Sequence, residues 1–173
     1  MNNPVIFQKL LTEQWLNTAQ ILSALSHLSH LVYLKNVNQP VIAFFASEYM
    51  LKQGQVTENF KRISLHQYQK KSQSIHFNHF FKKNIQNHPS DFNGGLIGFV
   101  SYDHTAQQQV PIKQKNQPTL FLGIYRSYLK LTPQGWTFFS DEDEAESIFQ
   151  VIQDAIQHKK HPSLSLTQTC SAR

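Results

Sequence analysis

Short apolar blocks separated by polar turn residues occupy most of this chain, and several of them predict strands. Residues 4–11 begin with extended-chain formers and predict a first strand. Residues 31–37 and 41–49 are rich in β-branched and aromatic side chains. The turn-like residues 38–40 join them, which predicts a hairpin or a pair of adjacent strands. Residues 60–65 alternate enough to predict another strand.

The second half of the chain contains the longest apolar runs. Residues 95–102 are almost continuously apolar, which predicts a central strand covered on both faces. Residues 107–118 are polar and contain prolines, so we expect an exposed loop there. A long strand is then predicted over 119–131. The turn at 133–135 leads into a strand over 136–139 and completes a hairpin.

Three segments have helical periodicity. The first begins at Asn17 or Thr18, either of which can accept a hydrogen bond from the amides of the first turn. A second, short helix is predicted over 75–85. The third has Ser140 as a candidate N-cap, followed by acidic residues 141–144 at the positive end of the helix dipole. The predicted buried faces are Ile21, Leu22, Leu25 and Leu28 in the first helix, and Ala145, Ile148, Phe149, Ile152, Ala155 and Ile156 in the third.

Together these elements predict an α+β fold. Because the strands occur in hairpins more than in βαβ units, we expect largely antiparallel, sandwich-like β-sheets flanked by about three α-helices. The 173 residues, of which 40% are hydrophobic, are enough for one core. We expect one domain over residues 1–162. Residues 163–173, which follow Pro162, are expected to be a linker or the start of a further domain.

Charge and cysteine content narrow the class of protein. The formal net charge is +5, but the lysines are scattered and arginine, the usual reader of phosphates and bases, is rare. We therefore expect no nucleic-acid partner. The single cysteine, Cys170, excludes an internal disulfide. The first residues do not form a signal peptide and no apolar run is long enough for a membrane span, so a cytoplasmic location without a membrane partner is predicted.

The residues commonly used in catalysis or metal binding form no recognisable site in the sequence. His27 with His30, and His76 with His79, could each share a helical face, but neither pair belongs to a His-Glu-x-x-His zinc motif. Cys170 lies in a predicted tail and is a poor nucleophile. We therefore predict surface histidines, no metal site and no catalytic residue in this chain.

The most informative motif spans residues 92–103 and reads Phe-Asn-Gly-Gly-Leu-Ile-Gly-Phe-Val-Ser-Tyr-Asp. Paired glycines allow backbone conformations that are closed to other residues, and the third glycine allows a neighbouring element to come close. Because the motif opens a strand and does not bridge a strand to a helix, it does not fit a dinucleotide-binding loop. The predicted structural motif consists of Gly94, Gly95, Gly98, Tyr102 and Asp103.

This motif resembles the N-terminal region shared by component I of aminodeoxychorismate synthase and component I of anthranilate synthase, in which Gly-Gly-x-x-Gly-x-x-x-Tyr-Asp recurs. Residues 23–28 look like the helix end that precedes the first hairpin of the aminodeoxychorismate synthase type. Residues 123–125, with Leu129, are similar to its later strand. The resemblance therefore extends from the first predicted helix to the penultimate hairpin.

The resemblance implies that this chain is the non-catalytic scaffold or regulatory segment of a longer enzyme. A C-terminal chorismate-binding domain of the same polypeptide would then hold the substrate, the magnesium ion and the catalytic residues. A glutamine amidotransferase subunit would supply ammonia for the conversion of chorismate to 4-amino-4-deoxychorismate, on the route to folate. This segment itself would need no cofactor, would be inactive alone, and could form an artificial homodimer through exposed sheet edges.

The family's N-terminal domain also has a tryptophan pocket, bordered by a Leu-x-Ser segment. Residues 34–36 (Leu-Lys-Asn) occupy that place, so the resemblance makes Asn36 a candidate ligand-binding residue in a vestigial pocket. We expect that pocket to be empty or filled with apolar side chains. Residues 111–113 (Pro-Ile-Lys) match the start of a nucleophilic-lysine segment of the family's catalytic domain, but Lys113 lies in a polar loop and is expected to be solvated.

Three alternatives remain open at this stage. Anthranilate synthase component I is the nearest of them, and is disfavoured because residues 33–36 read Tyr-Leu-Lys-Asn where its Leu-Leu-Glu-Ser signature is expected. A free-standing basic module that binds nucleic acid would account for the net positive charge. A stand-alone amino-acid-sensing domain is the third.

Overall fold

The computed structural model describes residues 6–13, 16–35, 39–72, 80, 92–101 and 117–158, and within these ranges the chain forms two antiparallel five-stranded sheets and two helices. The strands are β1 (Phe7–Leu10), β2 (Val32–Leu34), β3 (Val41–Ala43), β4 (Glu48–Gln53), β5 (Val56–Ser64), β6 (Gln67–Lys70), β7 (Gly95–Val100), β8 (Leu120–Tyr125), β9 (Ser127–Thr132) and β10 (Gly135–Ser140). The helices are α1 (Thr18–Leu25) and α2 (Ala145–His158). This confirms the predicted strand-rich α+β class.

Two stretches of the chain, β3–β4 and β8–β9, each contribute one strand to both sheets, and we call them the two arms. The first sheet has the strand order β1-β10-β9-β3-β2, and the second has the order β6-β5-β4-β8-β7. Residues 44–47 connect β3 to β4, and Arg126 alone connects β8 to β9. Since β3 pairs with β9 and β4 pairs with β8, the same two arms of the chain are hydrogen-bonded to each other in both sheets.

The main core lies between the first sheet and both helices. Helix α2 buries the face that its spacing predicts, and α1 and α2 contact each other. Phe44 and Phe138 stack at 6.3 Å between ring centroids near the middle of this core. Its fully buried side chains include Leu11, Ile21, Leu25, Ile42, Phe45, Leu129, Ile148 and Ile152.

Two smaller clusters complete the packing. On one side of the second sheet, Met50, Leu120 and Leu122 pack with Phe80. A second cluster includes Val41, Ala43, Ala46, Tyr125 and Tyr128, contributed by both sheets and the links between them. Neither described helix has the length and apolar character needed to cross a bilayer.

Helix α1 begins with the predicted side-chain cap. The Asn17 Oδ1 atom accepts a hydrogen bond from the Gln20 backbone N–H at 3.0 Å, and the Asn17 backbone N–H donates to Gln20 Oε1 at 2.9 Å. This reciprocal pair satisfies two amides that would otherwise lack partners at the helix start.

Asn17→Ala is expected to lower the free energy of unfolding by about 1 kcal/mol, because it removes the acceptor for the Gln20 amide. Urea unfolding followed by circular dichroism measures this change. Asn17→Ser keeps an acceptor and should retain most of the stability. Equal losses in the two variants would contradict a capping role.

The predicted central position of the strand over 95–102 is wrong. Strand β7 is the last strand of the second sheet, and the side chains of Phe99 and Val100 are 51% and 49% exposed. A continuous apolar run is expected of a doubly covered strand, but it equally fits an edge strand with one face packed and the other partly open. Here Leu96 packs against the Met50 cluster while the end of the strand faces solvent.

Two predicted strands each divide into two. The strand over 119–131 is broken at Arg126, where the chain passes from the second sheet to the first. The run over 41–49 is likewise broken by residues 44–47, where Phe45 adopts a positive φ of 53°. Periodicity did not mark these breaks, because residues 44–46 continue the apolar run and a single polar residue such as Arg126 does not by itself end a strand pattern.

Helix α2 begins later than its N-cap pattern predicts. The Ser140 hydroxyl accepts a hydrogen bond from the Glu142 backbone N–H at 3.1 Å, so it caps a turn that precedes the helix, and α2 starts at Ala145. The predicted helix over 75–85, apart from Phe80, lies outside the described residues, as do residues 102–116 and the proposed boundary at 162.

Candidate functional site

The glycine motif begins with two residues in conformations that side chains disfavour. Gly94 has φ of 86° and Gly95 has φ of 124°. A Cβ atom at Gly94 would also lie 2.9 Å from the Tyr125 carbonyl oxygen. The chain therefore needs glycine to enter β7 at this point. Tyr102 and Asp103 lie outside the described residues.

The third glycine of the motif faces a neighbouring backbone. Gly98 pairs with Leu122 of β8. A Cβ atom at Gly98 would overlap the Phe121 carbonyl oxygen and would lie 2.7 Å from Leu122 Cδ2. The close approach of β7 and β8 therefore requires the absence of a side chain at Gly98.

Four aromatic rings cross the second sheet, one from each of four neighbouring strands; we call Phe60, Tyr49, Phe121 and Phe99 the aromatic ladder. Tyr49 lies 4.7 Å from Phe60 and 5.7 Å from Phe121, between ring centroids. Phe99 lies 6.2 Å from Phe121. All three contacts have interplanar angles below 30°, so the rings are roughly parallel. The ladder ends at the half-exposed Phe99.

His30 covers part of this ladder. Its ring centroid is 4.4 Å from that of Tyr49 and 5.4 Å from that of Phe121, and its φ is 55°. The His30 Nδ1 atom is 3.1 Å from the Tyr68 hydroxyl oxygen. Burial lowers the pKa of His30 below its ordinary value, because the charged imidazolium is poorly solvated there.

The direction of the hydrogen bond between His30 and Tyr68 depends on the histidine tautomer. Burial raises the pKa of Tyr68 to about 12, because the charged phenolate would be poorly solvated, and the nearby positive charge of Arg62 only partly opposes this.

A buried ion pair joins the second sheet to the turn that follows the last described strand, β10. Arg62 of β5 bonds Glu142, and their side chains are only 6% and 9% exposed. Arg62 also donates to the Phe45 carbonyl. The Ser127 hydroxyl donates to Glu142 at 2.7 Å and lies 2.9 Å from the Ser140 hydroxyl. We call Arg62, Glu142, Ser127 and Ser140 the inter-sheet network.

The acidic run before α2 thus does more than place negative charge near a helix terminus. Glu142 is the buried partner of Arg62, and Asp141 accepts a hydrogen bond from Arg126 at 2.9 Å. The hydrogen bond with Asp141 raises the pKa of Arg126. One usable sign of these pairs in the sequence is that two of its three arginines, Arg62 and Arg126, lie within predicted strands. It did not indicate which carboxylates they would meet.

The predicted ligand residue Asn36 lies outside the described residues, so its role stays a prediction. Leu34, near the end of β2, packs against the cluster that contains Tyr125 and Tyr128. Burial raises the pKa of Tyr125, whose hydroxyl has no hydrogen-bond partner among the described residues. Bulky side chains therefore pack against Leu34, two residues before Asn36.

The histidine pairs do not form a metal centre in the described part of the chain. No group of three His, Cys, Asp or Glu side chains there could hold a metal ion. His27 is exposed, as predicted. The prediction of a surface histidine is wrong for His30, which is partly buried against the aromatic ladder. His76, His79, Lys113 and Cys170 lie outside the described residues.

In chemical terms, the inter-sheet network joins structural elements. Its guanidinium, carboxylate and hydroxyl groups bond one another across β5, β9, β10 and the turn before α2. These contacts connect the second sheet to the first sheet and to the turn before α2.

The folded chain is expected to become less stable as the pH is lowered. Burial lowers the pKa of His30 below 6.5 in the folded chain. When the pH falls below 6.5, the unfolded chain therefore takes up a proton at this histidine before the folded chain does, and this favours unfolding. His30→Asn, which tolerates positive φ, should reduce the loss of stability between pH 7.5 and pH 5.5. Urea unfolding at the two pH values measures it.

The control for this experiment is His27→Asn, which changes an exposed histidine. It should keep the pH dependence of the unmodified chain. If His30→Asn showed the same pH dependence as His27→Asn, the burial of His30 would not be the source of the acid sensitivity.

Comparison with known proteins finds similarity to solved structures but not to known sequences. No family model matches the chain, and no curated protein sequence matches it. The fold is similar to the crystal structure of anthranilate synthase component I from Streptococcus pneumoniae TIGR4, with a TM-score of 0.45 and 17% identity. The likeness covers 90% of this chain but 37% of that protein, so the chain spans well under half of its length.

Proposed function

We propose that this chain is the N-terminal, non-catalytic segment of an aminodeoxychorismate synthase component I. The observation that carries the proposal is the motif over residues 92–103, whose spacing resembles the recurring motif of that family. Gly94, Gly95 and Gly98 each occupy a position where the backbone or a close neighbour disfavours a side chain. The glycine spacing therefore has a structural cause, which supports its use as a family marker.

In this proposal the chain is a scaffold. The inter-sheet network and the tight β7–β8 pairing stabilise the fold, while chorismate, magnesium and the catalytic residues belong to a C-terminal domain of the same polypeptide. A glutamine amidotransferase subunit supplies the ammonia, and the enzyme acts in the cytoplasm. This division is consistent with the buried pair of Arg62 and Glu142, which is engaged internally.

Anthranilate synthase component I is the second candidate, because it shares the same glycine motif. The two enzymes differ in their products. Aminodeoxychorismate retains the enolpyruvyl group of chorismate, whereas formation of anthranilate releases pyruvate. Product analysis therefore distinguishes the candidates without reference to this segment's structure.

The test uses the polypeptide encoded by the complete reading frame that contains this chain, with chorismate, ammonium and Mg²⁺. We expect chorismate to be consumed and 4-amino-4-deoxychorismate to form without release of pyruvate. The 173-residue chain alone, under the same conditions, should consume no chorismate. Turnover by the 173-residue chain, or no turnover by the complete polypeptide, would overturn the proposal.

Two binding assays address the alternatives from other classes. The net charge of +5 would support a nucleic-acid module, which should bind a labelled oligonucleotide at low salt and release it as salt rises. Calorimetry with tryptophan tests the amino-acid-sensing alternative. The scaffold proposal expects no oligonucleotide binding, and expects no heat of tryptophan binding if apolar side chains fill the pocket.

A further inference from the structure

The four edge strands of the two sheets differ in how well they are protected from pairing with another strand. Strand β1 carries Lys9, which bonds Glu146 at 2.9 Å. Strand β2 has only three residues. Strand β6 has four residues, ends with Lys70, and follows a register shift between Arg62 and Ser64. Short length, lysines and bulges are the usual means by which proteins prevent edge-to-edge association.

Strand β7 has none of these protective features. Its six residues, Gly-Leu-Ile-Gly-Phe-Val, include no charge and no proline. It pairs with β8 on one side, and no described strand pairs with its other side. Phe99 and Val100 are about half exposed and point to opposite faces of the sheet, as successive residues of a strand do. Both faces at this edge are therefore apolar.

We propose that two copies of this chain associate through β7, which pairs with β7 of the second copy in an antiparallel arrangement. The occupant must be extended, uncharged and apolar on both faces, and a second β7 meets each of these requirements. The net charge of +5 opposes association through most surfaces, but β7 contributes no charge to this contact. The inference concerns an edge of this chain and does not depend on the proposed function.

The side-chain pattern selects the register. Only registers that keep like faces together can bury the apolar side chains. Pairing is longest with Gly98 on the two-fold axis, because β7 and Ser101, whose N–H bonds the Thr119 carbonyl, are then all used. Phe99 lies opposite Ile97 of the second copy, and Val100 lies opposite Leu96. Aromatic and β-branched cross-strand pairs of this kind stabilise sheets.

Sedimentation velocity of the 173-residue chain over a range of concentrations tests the proposal, with a reducing agent present to keep Cys170 from forming a disulfide. We expect a concentration-dependent dimer. Val100→Lys should raise the dissociation constant at least about tenfold, because it places charge in the apolar contact. The matched control is Val56→Lys, which changes a 59% exposed valine on β5 and should leave the dimer unchanged.

A cross-link tests the register. In a Cys170→Ser background, Leu96→Cys with Val100→Cys should give a dimer joined by two disulfides, since each new cysteine lies opposite the other type in the second copy. A strictly monomeric chain would overturn the proposal, as would equal effects of Val100→Lys and Val56→Lys. A dimer that forms without this cross-link would overturn the register with Gly98 on the axis.

Discussion

Replacing Arg62 by methionine is expected to lower the free energy of unfolding by about 3–5 kcal/mol, the range for breaking a buried ion pair. The substitution leaves the Glu142 carboxylate, which is 9% exposed, without its counter-charge. It also removes the donor to the Phe45 carbonyl oxygen. Urea unfolding at neutral pH, followed by tryptophan fluorescence and circular dichroism, measures the loss.

Two further variants separate charge burial from packing. Lys9→Met removes an exposed ion pair with Glu146 and should cost less than about 1 kcal/mol. The double substitution Arg62→Met with Glu142→Leu removes both buried charges and should recover much of the loss. If Arg62→Met cost no more than Lys9→Met, the inter-sheet network would not contribute to stability as its burial indicates.

Gly98→Ala is the second substitution with a large expected effect, a loss of about 3 kcal/mol, at the upper end of the range for overpacking. The added methyl group would overlap the Phe121 carbonyl oxygen, which belongs to the backbone and cannot rotate away as a side chain can. Strand β7 must then move away from β8 or lose hydrogen bonds. Chemical unfolding measures the loss, and hydrogen exchange of the β7 and β8 amides locates it.

The control is Gly54→Ala, in the turn between β4 and β5. Gly54 has φ of 59°, so alanine there should cost only about 1–2 kcal/mol from the left-handed backbone conformation. Hydrogen exchange in β7 should be unchanged in this variant. A Gly98→Ala protein with normal β7 protection would show that the strands tolerate a side chain at this position.

Local patterns predicted the elements that local chemistry determines. The Asn17 cap, the buried face of α2 and the turn at 133–135 are all read from neighbouring residues, and the structure has each of them. Elements whose limits depend on distant contacts were predicted less well. The run over 119–131 is mostly apolar on both sides of Arg126, and only its passage between two sheets divides it there.

The position of β7 shows the same limit. Its composition fits a covered strand, and its place at the edge follows from the order of strands in the sheet, which periodicity does not encode. The inter-sheet network is a stronger case, because Arg62 and Glu142 are 80 residues apart in sequence. By contrast, the sequence alone singled out Gly94, Gly95 and Gly98, since glycine marks a local backbone requirement.

The passage of the β3–β4 and β8–β9 arms through both sheets has a mechanical consequence. Each arm is a nearly continuous extended segment whose two strands belong to different sheets. Residues 44–47 join the strands in one arm, and Arg126 joins them in the other. Tension applied to β4 or β8 is transmitted along the backbone to β3 or β9. The two sheets therefore resist sliding past each other or separating under force. A force applied to the second sheet also acts on the main core, which packs against the first.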